Sequence, residues 1–223
     1  MEERIDVFLD LYRDSLPEHL LEIEKEAIQK NVPIIGHGTA DILRYTLVSL
    51  RPKKVLEIGT AIGYSALFMR EYLEAGAHIT TIEKIESRYL EAEDNFKKYD
   101  KDSRITLIKA DASDAIKELS EQGEKYGVIF LDAAKGQYPS YLPVLIKLME
   151  PGGVLITDNI FHNGAVVNSR YAVTQRDRTI HDRLREYLKD ITGCDELNTL
   201  IIPVEDGVAV CQKAPVSCQK KEE

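Results

Sequence analysis

Residues 55–69, VLEIGTAIGYSALFM, decide the fold, because a short apolar run passes through two glycines into a helical pattern. The run predicts a buried strand, and the residues after Gly63 predict a helix. Glycine at such a turn permits positive φ and leaves room for a ligand beside the backbone. Gly59 and Gly63 are spaced more widely than the first two glycines of the dinucleotide fingerprint G-x-G-x-x-G. The turn therefore favours a ligand that has no pyrophosphate.

The same order of strand, turn and helix continues along the chain. Strands are predicted at residues 54–59, 78–83, 104–110, 126–133 and 154–159, and helices between them at residues 64–76, 87–100, 114–123 and 138–150. Apolar strands that alternate with helices indicate a parallel sheet covered on both faces. Residues 198–213 predict a closing hairpin that turns at Glu205, Asp206 and Gly207. We therefore expect an α/β, Rossmann-like fold with a mostly parallel seven-stranded sheet and a C-terminal antiparallel hairpin.

Helical patterns also precede the first strand. Residues 4–31 have apolar positions three and four apart with a break at Pro17, which predicts two amphipathic helices. Thr39 is a candidate N-cap for a third helix that ends near Leu50. The residues that this helix is expected to bury are Ile42, Leu43, Leu47 and, as a further candidate, Tyr45.

The predicted organisation is one domain over residues 1–213. Residues 1–50 form its helical cover, residues 54–213 its α/β core, and residues 214–223 a polar tail. The helical cover is a candidate for covering the sheet, for forming a dimer contact, or for closing over a substrate.

Composition limits the class of protein. The chain has 223 residues, of which 43% are hydrophobic and 30% charged, and its net charge is −9. No run approaches the roughly 18 apolar residues that a membrane span needs, and the N-terminal residues lack the apolar core of a secretory signal. Three cysteines show no CxxC spacing. We expect a cytoplasmic protein without membrane contact. A local basic patch on its surface remains compatible with the negative net charge.

Three strand ends predict a nucleoside site. Glu83 ends the second strand, where a carboxylate can accept hydrogen bonds from both ribose hydroxyls. Asp111 and Ala112 follow the third strand, where an acidic side chain and a backbone N–H can contact an adenine ring. Together with the Gly59 turn they lie at the carboxyl edge of the sheet. Each residue taken alone is equally compatible with an ordinary loop position.

Oxygen-bearing side chains follow the next two strands. Asp132 follows the fourth strand, and Asp158 and Asn159 follow the fifth. Two converging carboxylates repel each other unless a cation or a proton lies between them. Since all the donors are oxygens, Mg²⁺ or another hard divalent cation fits better than zinc. The alternative is that Asp158 caps a loop and Asn159 makes a turn.

Lys135 lies one short turn beyond Asp132. A lysine close to a cation gives up its proton more readily and can then act as a general base. The alternative is an ordinary solvent-exposed lysine.

The motifs LEIGTAIGYSA, TIEK, DASDAI, FLDAAKGQY and ITDN resemble those of the cation-dependent O-methyltransferase family, which includes catechol and caffeoyl-CoA O-methyltransferases. The resemblance extends from residue 32 to residue 213 and implies the methyltransferase version of the Rossmann-like fold, with S-adenosylmethionine as cofactor. The cofactor-binding residues that it implies are Ile35, Glu57, Gly59, Ser65, Glu83, Asp111, Ala112 and Asp132. It also implies metal ligation by Asp132, Asp158 and Asn159, catalytic roles for Asp132 and Lys135, and a homodimer.

Within that family, DAAKGQY and the ending IIPVEDGVA resemble most the bacterial enzymes that methylate 5-hydroxyuridine at the wobble position of tRNA. This resemblance implies the tRNA anticodon loop as partner. Arg170, Arg176 and Arg178 are then candidates for phosphate contacts, with Tyr171 available for stacking. The alternative is a charged helix in which neighbouring acidic residues pair with the arginines.

Three other functions stay open. The first is methylation of a small catechol or caffeoyl-CoA-like diphenol by the same chemistry. The second is an NAD(P)-dependent oxidoreductase, which the missing G-x-G-x-x-G disfavours. The third is a non-catalytic nucleotide-binding subunit, which the oxygen-donor trio disfavours.

Overall fold

The structure is a computed structural model that describes residues 8–215. The described residues form two compact units, the first ending at Ile34 and the second beginning at Ile35. Most of the predicted polar tail and the beginning of the first predicted helix lie outside the described residues, although residues 8–10 are helical. The single-domain organisation stays a prediction.

The first unit contains helix α1 (Glu18–Lys30). Pro17 precedes the helix, as the sequence predicts, because proline has no N–H to lose at a helix start. Asn31 ends it in the left-handed conformation, with φ of 53°.

The second unit alternates strands and helices. Its elements are α2 (His37–Leu50), β1 (Lys54–Ile58), α3 (Tyr64–Glu71), β2 (His78–Glu83), α4 (Glu86–Tyr99), β3 (Ile105–Lys109), α5 (Ala112–Glu121), β4 (Tyr126–Leu131), α6 (Tyr138–Leu148), β5 (Met149–Thr157), α7 (Arg178–Gly193), β6 (Leu197–Ile202) and β7 (Val208–Lys213). Short 3₁₀ turns lie at Lys135–Gln137, Ala165–Val167 and Arg170–Ala172.

One sheet of seven strands organises the second unit, in the order β3-β2-β1-β4-β5-β7-β6. Strands β1 to β5 are parallel, and β7 runs antiparallel to both β5 and β6. Helices α2, α3 and α4 contact one another in turn, as do α5, α6 and α7. The predicted Rossmann-like fold, its mostly parallel sheet and its C-terminal hairpin are confirmed. In the described part of the chain no helix is long and apolar enough to cross a bilayer.

Two predictions for α2 are wrong. The helix begins at His37 with Gly36 at the N-cap, so Thr39 lies in its first turn rather than before it. Tyr45 is 76% exposed and Ile42 is only half-buried, whereas Leu43 and Leu47 are buried. Residues four apart share a helix face, and Tyr45, halfway between those leucines, points away from them.

The turn after β1 brings two strand ends into close approach. Gly59 has a φ of 109°, and a Cβ at this position would lie 1.9 Å from the carbonyl oxygen of Asp132. Its N–H donates to the carbonyl of Ile82 at 3.0 Å, and the N–H of Asp132 donates to the carbonyl of Ile58 at 3.0 Å. The ends of β1, β2 and β4 are thus fastened together where only glycine fits.

We expect Gly59→Ala to lower the free energy of unfolding by about 3 kcal/mol, because the clash of the added Cβ with the Asp132 carbonyl adds to the backbone strain of a positive φ. Gly76→Ala is the matched control, since Gly76 also has a positive φ, 88°, but no atom within 4 Å of an added Cβ. The control should lose only about 1 kcal/mol. Urea unfolding measures both, and equal losses would contradict the close approach.

Candidate active site

Polar residues follow adjacent parallel strands and meet at one edge of the sheet. Leu131 of β4 pairs with Thr157 of β5, so Asp132 and Asp158 are the next residues on neighbouring strands. The N–H of Asp158 donates to the carbonyl of Leu131 at 3.0 Å. The sequence prediction that these two carboxylates lie on adjacent strand ends is confirmed.

Glu57 on β1 is a fully buried carboxylate beside this edge. Its Oε2 accepts a hydrogen bond from the Thr81 hydroxyl, whereas its Oε1 is buried without a hydrogen-bond partner. Burial raises the pKa of Glu57 to about 7; the hydroxyls of Ser65 and Thr81 lower it, and the charge of Asp132 raises it further. A buried acceptor that lacks a donor is costly and suits a ligand that supplies an N–H.

Glu83 at the end of β2 accepts three backbone hydrogen bonds. Its Oε1 accepts from the N–H groups of Lys84 and Ile85, both at 2.9 Å, and its Oε2 accepts from the N–H of Ala61 at 3.0 Å. The carboxylate therefore anchors the turn after β1 as well as the approach to α4. Since two carboxylate oxygens offer about four acceptor sites, some capacity remains for a ribose.

Asp111 and Ala112 form the start of α5. Asp111 is its N-cap and accepts from the N–H of Ser113 at 2.9 Å, while Lys84 donates to its other oxygen at 3.1 Å. The Ser113 N–H and then the Lys84 ammonium lower the pKa of Asp111. Capping and pairing are thus the interactions shown for Asp111, and its contact with an adenine stays a prediction.

Two further predicted cofactor residues lie at helix starts. Ile35 is buried and directly precedes Gly36, the N-cap of α2. Ser65 is buried in the first turn of α3, with its hydroxyl beside Glu57.

Two of the predicted metal ligands are carboxylates with raised pKa values, of which Asp158 is buried and Asp132 half-buried. Burial raises the pKa of Asp132, and the charges of Lys135 and Arg88 lower it. Burial and then the charge of Asp132 raise the pKa of Asp158 to about 7. The Oδ1 of Asp158 accepts from the N–H of Asn159 at 2.7 Å and from the hydroxyl of Thr39 at 3.1 Å.

The donor set fits a hard divalent cation. Asn159 has a φ of 53°, a left-handed conformation that asparagine tolerates better than most residues. Among residues 8–215, no group of three or more His, Cys, Asp and Glu side chains could hold a metal; the predicted set has only two carboxylates besides its amide. Two mutually repelling carboxylates next to an amide oxygen nevertheless match the preference of Mg²⁺ for oxygen ligands. The metal assignment stays a prediction.

Lys135 pairs with a residue of the C-terminal hairpin. Its Nζ lies 3.5 Å from the Oδ2 of Asp206, and both side chains are mostly buried. A general base must be free to accept a proton, and the structure shows Lys135 in an ion pair instead. The catalytic role of Lys135 stays a prediction.

The three candidate arginines differ in their surroundings. Arg170 lies in a 3₁₀ turn before α7 and donates to the Oδ2 of Asp182 at 2.7 Å, so it pairs with an acidic residue of the helix without being part of it. Arg176 is exposed, and the Nε of Arg178 at the start of α7 is buried without a hydrogen-bond partner. Tyr171 is 87% exposed. The structure therefore shows an exposed aromatic ring beside one paired arginine.

Sequence reasoning missed three residues of this edge. Thr81 bonds to Glu57, and its place in the buried strand HITTIE was an available signal, because a polar side chain buried there needs a partner. Thr39 reaches Asp158, and Glu205 reaches Thr39 across 166 positions of chain. No local sequence pattern predicts those two contacts, because the partners are 119 and 166 positions apart in the chain.

Comparisons with known proteins show the family of the chain. A family model described as O-methyltransferase matches residues 12–214. A caffeoyl-CoA O-methyltransferase of Stellaria longipes is 27% identical over 202 residues, which cover 88% of this chain and 83% of the relative. A catechol O-methyltransferase of Niastella koreensis is 29% identical over 117 residues, covering 52% of this chain and 53% of the relative. The crystal structure of a Bacillus cereus O-methyltransferase in complex with SAH superposes with a TM-score of 0.83 at 21% identity, covering 96% of this chain and all, 100%, of that one. The last likeness shows the fold.

We expect the buried Glu57 to make stability depend on pH. Its pKa is about 7 in the folded protein, against 4.5 for a glutamate side chain surrounded by water. The unfolded chain therefore loses this proton first, and stability falls as pH rises from 4.5 to about 7. The loss is about 3 kcal/mol, since one pKa unit corresponds to about 1.4 kcal/mol.

Glu57→Gln should flatten this fall and leave the variant more stable than the unaltered protein at pH of about 8. Urea unfolding at several pH values measures the effect. Glu121→Gln, at an exposed position on α5, is the control and should follow the unaltered protein. The same pH dependence in the Glu57→Gln protein would contradict the assignment.

Proposed function

The chain belongs to this O-methyltransferase family, and from that premise we propose that it transfers a methyl group from S-adenosylmethionine to one of two neighbouring substrate oxygens, with the help of a divalent cation. The observation that carries the proposal is that Asp132 and Asp158 lie on neighbouring strand ends, within electrostatic range of each other and near the buried Glu57. The pKa of each of these three carboxyl groups is raised. Perturbed carboxylates gathered at a strand edge are typical of functional sites.

Glu57 supports the cofactor part of the proposal. S-adenosylmethionine supplies the methyl group when bound, and its amino-acid part carries an ammonium. The unpartnered Oε1 of Glu57 offers that ammonium a buried acceptor. The Gly59 turn, the carboxylate of Glu83 and the start of α5 at Ala112 follow the ends of β1, β2 and β3 along the same edge, in the order that a methionine, a ribose and an adenine require. The Bacillus cereus relative was crystallised with SAH, the product that remains after methyl transfer.

Asp132, Asp158 and Asn159 would hold the cation. A divalent cation, when bound, lowers the pKa of a hydroxyl that it contacts and aligns that oxygen with the methyl donor. Asp132 and Asp158 would supply negative charge and fix the place of the substrate, and positioning of this kind supplies much of the acceleration. Lys135, held by Asp206, would accept the hydroxyl proton at Nζ when it is neutral.

A small diphenol is the substrate class that the comparisons favour. The relatives named above act, by their names, on caffeoyl-CoA and on catechol. A catechol presents two vicinal oxygens, which is what a site with one cation and oxygen ligands requires.

5-Hydroxyuridine in the tRNA anticodon loop is the second candidate. Its 5-hydroxyl lies beside the 4-carbonyl, so it offers the same pair of oxygens. The specific observation in its favour is the exposed ring of Tyr171 next to Arg170, because RNA bases stack on exposed aromatic rings and phosphates pair with arginines.

We expect Asp132→Ala and Asp158→Ala to lower methyl transfer by at least about 100-fold and leave a folded protein. Removing either carboxylate removes a ligand and also relieves repulsion, so stability should not fall in parallel. Initial rates with a diphenol and added Mg²⁺ measure the effect, and circular dichroism checks the fold. Asp94→Ala on α4 is the control, since Asp94 is exposed. Wild-type-like turnover by either strand-end variant would contradict the metal assignment.

The two substrates predict different responses to Tyr171→Ala. If tRNA is the substrate, loss of the stacking ring should lower kcat/KM on tRNA containing 5-hydroxyuridine by about tenfold. If a small diphenol is the substrate, turnover of catechol or caffeoyl-CoA should change less than about twofold, because an exposed ring contributes little to a buried site. Mass spectrometry of tRNA nucleosides from a deletion strain is the companion measurement, and unchanged 5-methoxyuridine there would rule out the RNA assignment.

A further inference from the structure

The hairpin turn between β6 and β7 (residues 203–207) lies beside the proposed metal ligands. β7 pairs with β5, with Ala209 opposite Thr157, which brings the turn to the edge that carries Asp158. The N–H groups of Ile160 and Phe161 donate to carbonyls of this turn at 3.0 Å and 2.9 Å. The turn is thus fastened to the chain directly after the metal ligands.

Glu205 extends from this turn to the start of α2. Its Oε1 accepts from the N–H of Gly38 at 2.8 Å. Its Oε2 lies 3.0 Å from the hydroxyl oxygen of Thr39 and 3.4 Å from the backbone nitrogen of the same residue. Gly36, the N-cap, makes no side-chain capping bond, so Glu205 supplies the cap that the local sequence lacks.

The fit between Glu205 and α2 is close. A Cβ on Gly36 would lie 2.3 Å from the Oε1 of Glu205, and a Cβ on Gly38 would lie 2.4 Å from the Cγ2 of Val204. Glu205 itself has a φ of 51°, a conformation that L-residues rarely adopt. The left-handed backbone and the two glycines together allow the carboxylate to reach the helix.

Thr39 connects this cap to the proposed metal site. Its hydroxyl is fully buried and lies within hydrogen-bond distance of two carboxylates, the Oε2 of Glu205 at 3.0 Å and the Oδ1 of Asp158 at 3.1 Å. Within the described residues, the hydrogen bonds to the Asp158 carboxylate all reach Oδ1. The second oxygen, Oδ2, accepts none of these bonds and so keeps its acceptor capacity.

We propose that Glu205 is a positioning residue that acts through Thr39. Its carboxylate holds the first turn of α2 so that the Thr39 hydroxyl fixes the orientation of Asp158 and leaves Oδ2 for the cation. Residues that hydrogen-bond to a metal-binding carboxylate and fix its orientation commonly contribute to the metal affinity of the protein. This inference rests on the proposed function, because it concerns the same cation.

Mn²⁺ binding tests the inference without an assay of activity. The electron paramagnetic resonance signal of free Mn²⁺ gives its dissociation constant for the purified full-length protein. We expect Thr39→Val to raise that constant about tenfold, because valine keeps the shape and loses the hydroxyl. Glu205→Gln should raise it about threefold, since an amide keeps the length but weakens the bonds to the helix. Because Glu205 acts through Thr39, the double variant should bind Mn²⁺ no more weakly than Thr39→Val alone.

Two further variants separate positioning from general stability. Thr46→Val removes another hydroxyl from α2, one that donates to the carbonyl of Ile42 at 2.8 Å, and should lower Tm with no change in Mn²⁺ affinity. Thr39→Ser keeps a hydroxyl at the critical position and should keep Mn²⁺ affinity within about twofold of the unaltered protein.

The outcomes distinguish this inference from the proposed function. Equal Mn²⁺ affinity in the unaltered protein and in the Thr39→Val and Glu205→Gln variants would overturn the inference and leave the metal assignment standing. Fully additive losses in the double variant would overturn the route through Thr39. No Mn²⁺ binding by the unaltered protein, with S-adenosylmethionine binding retained in calorimetry, would overturn the metal assignment and the inference together.

Discussion

The approach of the Gly59 backbone to the Asp132 carbonyl is the constraint on which the site depends. It allows β1 and β4 to end side by side, which brings the buried Glu57 within electrostatic range of Asp132. Asp132 in turn raises the pKa of Asp158 on the next strand. Three carboxylates are therefore held together against their mutual repulsion by backbone hydrogen bonds and an apolar core, which is how a folded domain maintains a site that opposes its own stability.

The sequence predicted what depends on local pattern. Apolar runs of strand length identified the parallel sheet, and parallel strands oblige Asp132 and Asp158 to end at one edge. The errors came from contacts that no local pattern contains. Thr39 looked like a helix cap because the true capping group, Glu205, lies at the far end of the chain. The N–H of Ala61 that bonds to Glu83 across 22 positions is likewise visible only in the folded chain, and the ribose contact of Glu83 stays a prediction.

Residues 166–171, which include the Tyr171 ring relevant to the choice of substrate, are attached to α7 by side-chain hydrogen bonds. Arg185 donates to the carbonyls of Val166 and Asn168, at 3.0 Å and 3.1 Å. The ring of His181, buried in the same helix, lies 3.1 Å from the Asn168 carbonyl and 3.1 Å from Asp182. Because the backbone near Tyr171 is already held in place by these bonds, a ligand that stacks on the exposed ring loses less conformational entropy on binding. This gain would serve a nucleobase stacked on Tyr171 and not a small diphenol bound in the buried site.

The place of β7 in the sheet has a consequence for biosynthesis. β7 inserts between β5 and β6, although it follows both in the chain. On the ribosome, a nascent chain that has just completed β5 therefore presents an unpaired edge, and unpaired edges invite intermolecular pairing. The same late hairpin brings Glu205, so the edge is covered and the start of α2 is capped in one step. Ribosomal pausing before the hairpin emerges would prolong the vulnerable interval.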